Sequence, residues 1–228
     1  MTTPTTNTSR FFAHASCADR HGLLRVGGKL TPDWLLDAYA HGIFPWPFWN
    51  PYQKCSVLGW FSVDPRCIFE FDQFHVSRRL ERTCKSGRFR ITFDTDFAGV
   101  IRGCAGRYGP EETWITPEMI DAYTELHRLG YAHSVEAWLG DELAGGVYGT
   151  ALGGLFAAES MFHRHRDASN VALVALMRHL QERGYQLVDI QVKTEHTARL
   201  GAVEIPRSEY LRRLQTALRS QIWRRKPG

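Results

Sequence analysis

Asp189 and Gln191 stand two residues apart in Leu187-Val188-Asp189-Ile190-Gln191-Val192, an otherwise apolar stretch. Strand side chains alternate with period two, so a strand here turns an acid and an amide to one face and Val188, Ile190 and Val192 to the other. A carboxylate beside a carboxamide can orient a reactant and receive its proton. Glu159 is set in a second apolar run, Leu155-Phe156-Ala157-Ala158-Glu159-Ser160-Met161-Phe162. Polar groups in such runs also cap strand ends or reach solvent, and pattern alone favours that plainer role. The surrounding chain changes the balance.

Several elements could carry these residues. Thr31 followed by Pro32 is a helix-start signature, and the helix is expected to end near His41 and Gly42. The next stretch, Gly42 to Pro51, is dense in aromatics and proline, which excludes a regular helix or a central strand and predicts a loop held by its own aromatic packing. Helices are expected over 96–104 and 117–129, the second with Thr116 as N-cap. Strands are expected over 67–71 and 89–94, and a hairpin turns at Gly140-Asp141. Ser169 is expected to cap a helix whose Leu173, Leu176, Met177 and Leu180 repeat at helical spacing up to Gly184. Glu195 to Leu200 and a last helix from about Ser208 close the pattern. Two units are expected, a small one over 1–70 with a disordered start (1–10) and a larger one over 71–228.

Composition sets the limits. The chain has 228 residues, 43% hydrophobic and 23% charged, the balance of an ordinary globular protein. Its net charge of +4 permits an anionic partner without requiring one. The five cysteines are scattered with no Cys-x-x-Cys pair, which argues against a disulfide framework or zinc ribbon and fits a reducing compartment. No apolar run approaches the ~20 residues that span a bilayer. The Thr-rich N-terminus has neither the basic start nor the apolar core of a signal peptide, so a cytoplasmic protein is expected, with a monomer as the default. His163, His165 and His196 have no acidic or thiol ligand at matching spacing, so no metal is expected.

The layout of a strand meander, a helix, a strand, a short helix and a return strand, from roughly Arg88 onward, resembles a GNAT-like domain within an α/β (α+β) fold. A coenzyme A site of that fold would need a Gly-rich turn before the helix, and here the position reads His163-Arg-His-Arg-Asp-Ala-Ser-Asn170, without glycine. More specifically, Tyr39-Ala-His-Gly-Ile-Phe-Pro-Trp46, Trp60-Phe-Ser-Val-Asp-Pro-Arg66, Thr113-Trp-Ile-Thr116, Glu159-Ser-Met-Phe162, Asp189-Ile-Gln191, His196-Thr-Ala-Arg-Leu-Gly-Ala202 and Ile205-Pro-Arg207 occur in order. Together they closely resemble the bacterial leucyl/phenylalanyl-tRNA–protein transferases, from about Leu23 to Leu218.

That resemblance implies transfer of leucine or phenylalanine, and methionine more weakly, from aminoacyl-tRNA to an N-terminal Arg or Lys, marking the acceptor protein for degradation. It implies no metal and no cofactor. Carried over by position, Asp189 and Gln191 fall on the catalytic pair and Glu159 on an acidic site residue. Trp114 falls on the tryptophan that stacks on the terminal adenosine. Phe156, Ala158, Met161, Leu173 and Val188 fall on walls of the amino-acid pocket. Val147 and Leu176 do too, but where a methionine and an aromatic are familiar, which puts the pocket's size preference in question. Arg78, Arg79, Arg82, Lys85, Arg88 and Arg90 crowd one short region with few balancing acids, and together with Arg164 and Arg166 they are the candidates for acceptor-stem phosphates.

The chemistry is aminolysis of an ester. An α-amine of pKa ~7.7–8.0 is partly neutral at pH 7, so freeing it costs only ~1–1.4 kcal/mol. Orienting the reactants can contribute ~7–11 kcal/mol. Positioning should therefore dominate. In this reading Asp189 orients and polarises Gln191, and takes the proton directly or through the amide. Glu159 neutralises the cationic acceptor. The alternatives are a GNAT-type acyltransferase using acyl-coenzyme A and a non-catalytic RNA-binding module.

Overall fold

A computed structural model of the chain describes residues 8–50, 52, 54–106 and 113–220. The basic segment after Ile222 and the residue Glu112 lie outside the described residues. Ser9 and Arg10, expected in the disordered start, are tied down: the Ser9 hydroxyl donates to Asp37 Oδ2 at 2.6 Å and Arg10 N to Asp37 Oδ1 at 3.3 Å.

Two sheets carry the chain. The smaller holds β1 (Leu23–Val26), β2 (Phe44–Asn50) and β3 (Cys55–Phe61) in the order β1-β3-β2. The aromatic, proline-rich stretch expected as a loop is therefore a strand. It is an edge strand, and the reason is visible in its prolines. Pro45 and Pro47, two apart, turn their missing N–H groups to the same side, the open edge, while β2 pairs with β3 from Phe44↔Phe61 to Asn50↔Cys55. Helix α1 (Pro32–Ala40) precedes it, with Pro32 in its first turn.

The larger sheet has seven strands: β4 (Arg66–Phe69), β5 (Arg90–Phe93), β6 (Ala132–Leu139), β7 (Glu142–Leu152), β8 (Leu155–His163), β9 (Leu187–Gln191) and β10 (Val203–Ile205). Their order is β10-β4-β9-β8-β7-β6-β5. The chain enters this sheet at Arg66, so the boundary expected at residue 70 falls just past its first strand. All pairings are antiparallel except β8 with β9, which α5 (Ala168–Glu182) connects. This meander with one parallel crossover is the GNAT-like α/β layout expected. Helix α5 begins one residue before Ser169, with Asp167 at the N-cap and Ser169 buried inside the first turn.

Alternation along β8 sorts the core. Phe156 faces α5 and α2 (Arg78–Lys85), in a cluster with Leu173, Leu176 and Met177. Leu155 faces α7 (Arg207–Leu218), with Tyr210 and Leu214. Ala157 joins the cluster under α1, α3 (Phe97–Ala105) and α4 (Pro117–Arg128), which also takes in Trp60 and Phe44 from the small sheet. The two sheets thus share one apolar core. Asp96 and Thr116 cap α3 and α4 by accepting from Gly99 N and Met119 N. Short α6 (Glu195–Arg199) follows β9, opened by a Thr194–Thr197 capping box. Among the described residues no helix is long and apolar enough to cross a membrane.

Candidate functional site

The parallel pairing of β8 and β9 ends at Ala157↔Asp189. Just beyond, each strand carries an irregularity. Tyr148 pairs with Ser160 and Gly149 with Ala158, which leaves Glu159 extra on β8. Cys67 pairs with Gln191 and Ile68 with Asp189, which leaves Ile190 extra on β9. Bulges re-aim side chains and interrupt pairing. The strands part here and a cavity of about 880 Å³ opens between them, lined by Glu159, Gln191, Trp114 and Leu173 among others.

Asp189 sits at the fork and is fully buried. Arg66 reaches it from β4, Nε donating to Oδ1 at 2.8 Å and Nη2 to Oδ2 at 2.6 Å. The Tyr210 hydroxyl donates to Oδ2 at 2.9 Å and Gln191 N to Oδ1 at 2.9 Å. Four donors on two oxygens fill a carboxylate's acceptor capacity. Arg66 is itself locked, donating to Gly42 O at 3.0 Å between the rings of Phe44 and Tyr210. Burial works against its charge, yet Asp189 holds its pKa above the ordinary value. Gly42, at φ 75°, adopts a backbone conformation strained for any other residue, and a Cβ there would also press on the Leu211 side chain at 2.6 Å.

The bond from Gln191 N to the acid two residues earlier is an Asx-type turn, and it accompanies a left-handed φ of 56° at Gln191. Gln191 therefore leaves strand geometry rather than simply sharing a face with Asp189. Its carboxamide is oriented with the nitrogen donating to Ile190 O at 3.1 Å and to Ala158 O at 3.0 Å, which spans the fork from β9 to β8. Gln191 itself is among the residues that line the cavity.

Across the fork, Glu159 accepts from the Tyr39 hydroxyl at 2.7 Å and the Tyr123 hydroxyl at 3.2 Å, and the two hydroxyls also bond to each other. Burial pushes the Glu159 carboxyl up to about 7, against the lowering effect of the Tyr39 bond. Burial likewise raises both phenols well above the usual tyrosine range, so they are neutral donors.

Of the expected wall residues, Val147, Ala158, Met161 and Leu173 line this cavity. Phe156 and Leu176 do not. They line a second cavity of about 390 Å³ further along the α5 face of the sheet, with Phe93, His179 and Tyr185. Val188 is fully buried in the core between α5 and the sheet. Trp114 is half-buried and stacks on Trp46, with centroids 5.4 Å apart and planes at 27°.

The basic residues divide. Arg164 and Arg166 are exposed and line the cavity. Arg79 is paired with Asp167 at the cavity rim, and Lys85 with Glu81. One of these acids, Asp167, comes from distant sequence, while Glu81 lies within the basic stretch, one turn before Lys85 on α2. Arg78, Arg82 and Arg88 are exposed and take part in no salt bridge among the described residues. No group of three His, Cys, Asp or Glu among the described residues could hold a metal ion.

Sequence reasoning gave no role to Arg66, Tyr39, Tyr123, Tyr210 or Trp46. Arg66, Tyr39 and Trp46 end or begin motifs that carried the family resemblance, and an arginine opening an apolar strand is a signal of a buried partner. Tyr123 and Tyr210 lie in helices with nothing to mark them.

Comparison with known proteins follows the same outline. Family models described as leucyl/phenylalanyl-tRNA protein transferase and its N-terminal domain match residues 68–215 and 28–64. A leucyl/phenylalanyl-tRNA–protein transferase of Anaeromyxobacter sp. (strain Fw109-5) is 53% identical over 91% of this chain and 87% of its own. That of Magnetococcus marinus is 49% identical over 92% and 90%. Among solved structures, an aminoglycoside acetyltransferase from an uncultured soil sample superposes with a TM-score of 0.39 at 13% identity, over 62% of this chain and 96% of its own, a likeness too slight to bear on mechanism. On the two family models and relatives at about half identity over nearly the whole chain, this protein belongs to the leucyl/phenylalanyl-tRNA–protein transferase family.

Proposed function

We propose that the chain transfers leucine or phenylalanine from aminoacyl-tRNA to the N-terminal Arg or Lys of acceptor proteins, forming a peptide bond and a degradation signal. The observation that carries this reading is the fork between β8 and β9, where a fixed carboxamide faces a large cavity. One side of that cavity is apolar, with Val147, Met161 and Leu173 suited to an apolar side chain. Another presents the Trp46–Trp114 stack, suited to a terminal base. Its mouth carries Arg164 and Arg166, suited to phosphates. The reaction takes place in the cytoplasm, where its tRNA substrate is.

Within this reading Asp189 is a positioning residue. Its oxygens are committed to Arg66, Tyr210 and Gln191 N, so it holds the turn that aims Gln191 rather than taking up a proton. The Gln191 side-chain oxygen accepts an N–H of the attacking amine and directs its lone pair at the ester carbonyl. Glu159 supplies negative charge toward the cationic acceptor.

The test is direct. The protein is incubated with labelled leucyl-tRNA, or with labelled acetyl-coenzyme A, and a peptide beginning with Arg. Label should enter the peptide from leucyl-tRNA only. Label entering from acetyl-coenzyme A instead, or none entering while tRNA is bound, would replace this reading with an acyltransferase or an RNA-binding module.

A further inference from the structure

Aminolysis must move a proton as well as an acyl group. The amine nitrogen attacks the ester carbonyl carbon, the carbon–oxygen bond to the ribose breaks, the nitrogen gives up a proton and the leaving ribose oxygen gains one. A group that holds this proton between the two events must be near the fork, ionisable, and not already saturated with donors. Asp189 fails the last condition, since four hydrogen bonds occupy its two oxygens.

Glu159 meets all three. Together with Tyr39 and Tyr123 it forms a closed triangle of oxygen contacts: Tyr39 to Oε1, Tyr123 to Oε2, and Tyr39 to Tyr123. Three contacts need three hydrogens, and the two phenols supply two. With an ionised carboxylate one side of the triangle is left without a hydrogen. Adding one proton to Glu159 completes the ring, each of the three side chains then donating once and accepting once, an arrangement in which hydrogen bonds reinforce one another. The cluster has a vacancy for a single proton. We propose that the Glu159–Tyr39–Tyr123 ring is the proton store of the transfer reaction, taking the proton from the attacking amine and returning it to the leaving ribose oxygen.

The ring is placed for this. Glu159 and Gln191 line the same cavity, and the Gln191 amide is anchored on Ala158 O, the residue beside Glu159. The surroundings keep its affinity for a proton in a useful range. Tyr39 comes from α1, Tyr123 from α4 and Tyr148 from β7. Arg66 from β4 and Asp189 from β9 act on it with opposite signs and are spent on each other. The Tyr148 hydroxyl is buried with no hydrogen-bond partner among the described residues, so it adds no competing donor to the carboxylate. Burial holds Glu159 near 7, where both gain and loss of a proton are rapid at neutral pH. The store ends each turnover as it began, with the amide and the free ribose hydroxyl as the only net products.

The inference rests on the transferase reading, and its test separates the two. Single-turnover transfer from saturating leucyl-tRNA to an Arg-peptide is followed from pH 5 to 9. If both the amine and Glu159 must lose a proton first, the logarithm of the rate climbs with a slope of about two in the acid range for the wild type. Glu159→Gln should lower that slope to about one, the amine's own titration, and slow transfer ~10²–10⁴-fold at pH 8, with leucyl-tRNA still bound. Tyr39→Phe removes a donor to the carboxylate and should move the Glu159 break to higher pH, a shift a purely structural role would not produce. A wild-type slope of one, or Glu159→Gln with wild-type slope and rate, would overturn the proton store while leaving the transferase intact. Failure of the wild type to transfer at any pH would instead overturn the parent reading. Should Glu159→Gln not fold, the Tyr39→Phe profile decides, and an unmoved break counts against the proposal.

Discussion

Arg66 and Asp189, 123 residues apart in the chain, form a buried two-bond ion pair at 2.8 and 2.6 Å, with neither side chain more than 1% exposed. The pair ties β4 to β9 at the point where β9 departs from β8. Such pairs contribute little net stability against apolar replacements, but removing one partner strands a charge and costs about 3–5 kcal/mol. Arg66→Met should therefore destabilise the fold by that amount in denaturant unfolding, and Arg66→Met with Asp189→Leu should recover most of it. Neither should transfer leucine. An active double variant would show that the pair serves folding alone.

Glu159 gives a stability prediction of opposite sign from an ordinary carboxylate. Its folded pKa of about 7 lies above the usual 4.5, so between those values the folded chain binds more protons than the unfolded one. Stability from this group is then present at low pH and lost as pH rises through 7. The unfolding free energy of Glu159→Gln relative to wild type should grow by about 3 kcal/mol in the variant's favour from pH 4 to pH 8. A pH-independent difference would mean that the carboxyl titrates normally.

Leu173 and Leu176 lie one turn apart on α5 but face different cavities. In competition between leucyl- and phenylalanyl-tRNA, Leu173→Ala should change the ratio of products. Leu176→Ala should leave that ratio nearly fixed and instead cost about 2–5 kcal/mol of stability. Equal effects on the ratio would make Leu176 a wall of the amino-acid pocket after all.

The cationic mouth makes a salt prediction. Arg166→Gln should reduce the slope of tRNA affinity against salt by about one. Arg79→Gln should change it less, because Arg79 is already paired with Asp167. If the two slopes fall equally, the Arg79–Asp167 pair opens to receive phosphate.

Much of this was readable beforehand, for local reasons. Thr31-Pro32 and Thr116-Pro117 mark helix starts through chemistry contained in two residues, and both helices begin there. The Gly140 turn, at φ 59°, was equally local. Asp189 and Gln191 were singled out by their spacing in an apolar run. Their division of roles was not legible, since it depends on one extra residue at Ile190 and on a left-handed Gln191, neither of which alternation reveals. The ion pair and the tyrosine ring join residues far apart in sequence, from Tyr39 to Glu159 and from Arg66 to Asp189. Phe156 and Leu176 show a related limit: family position assigned them to the pocket, while packing along α5 puts them beside another cavity.

The central claim is that Asp189 holds and Gln191 acts. It is tested most directly by the single-turnover rate of Gln191→Ala at saturating leucyl-tRNA, with tRNA affinity measured in parallel. The account predicts a loss on the order of 10²-fold or more in rate with affinity unchanged. A rate within roughly threefold of wild type at unchanged affinity would contradict it.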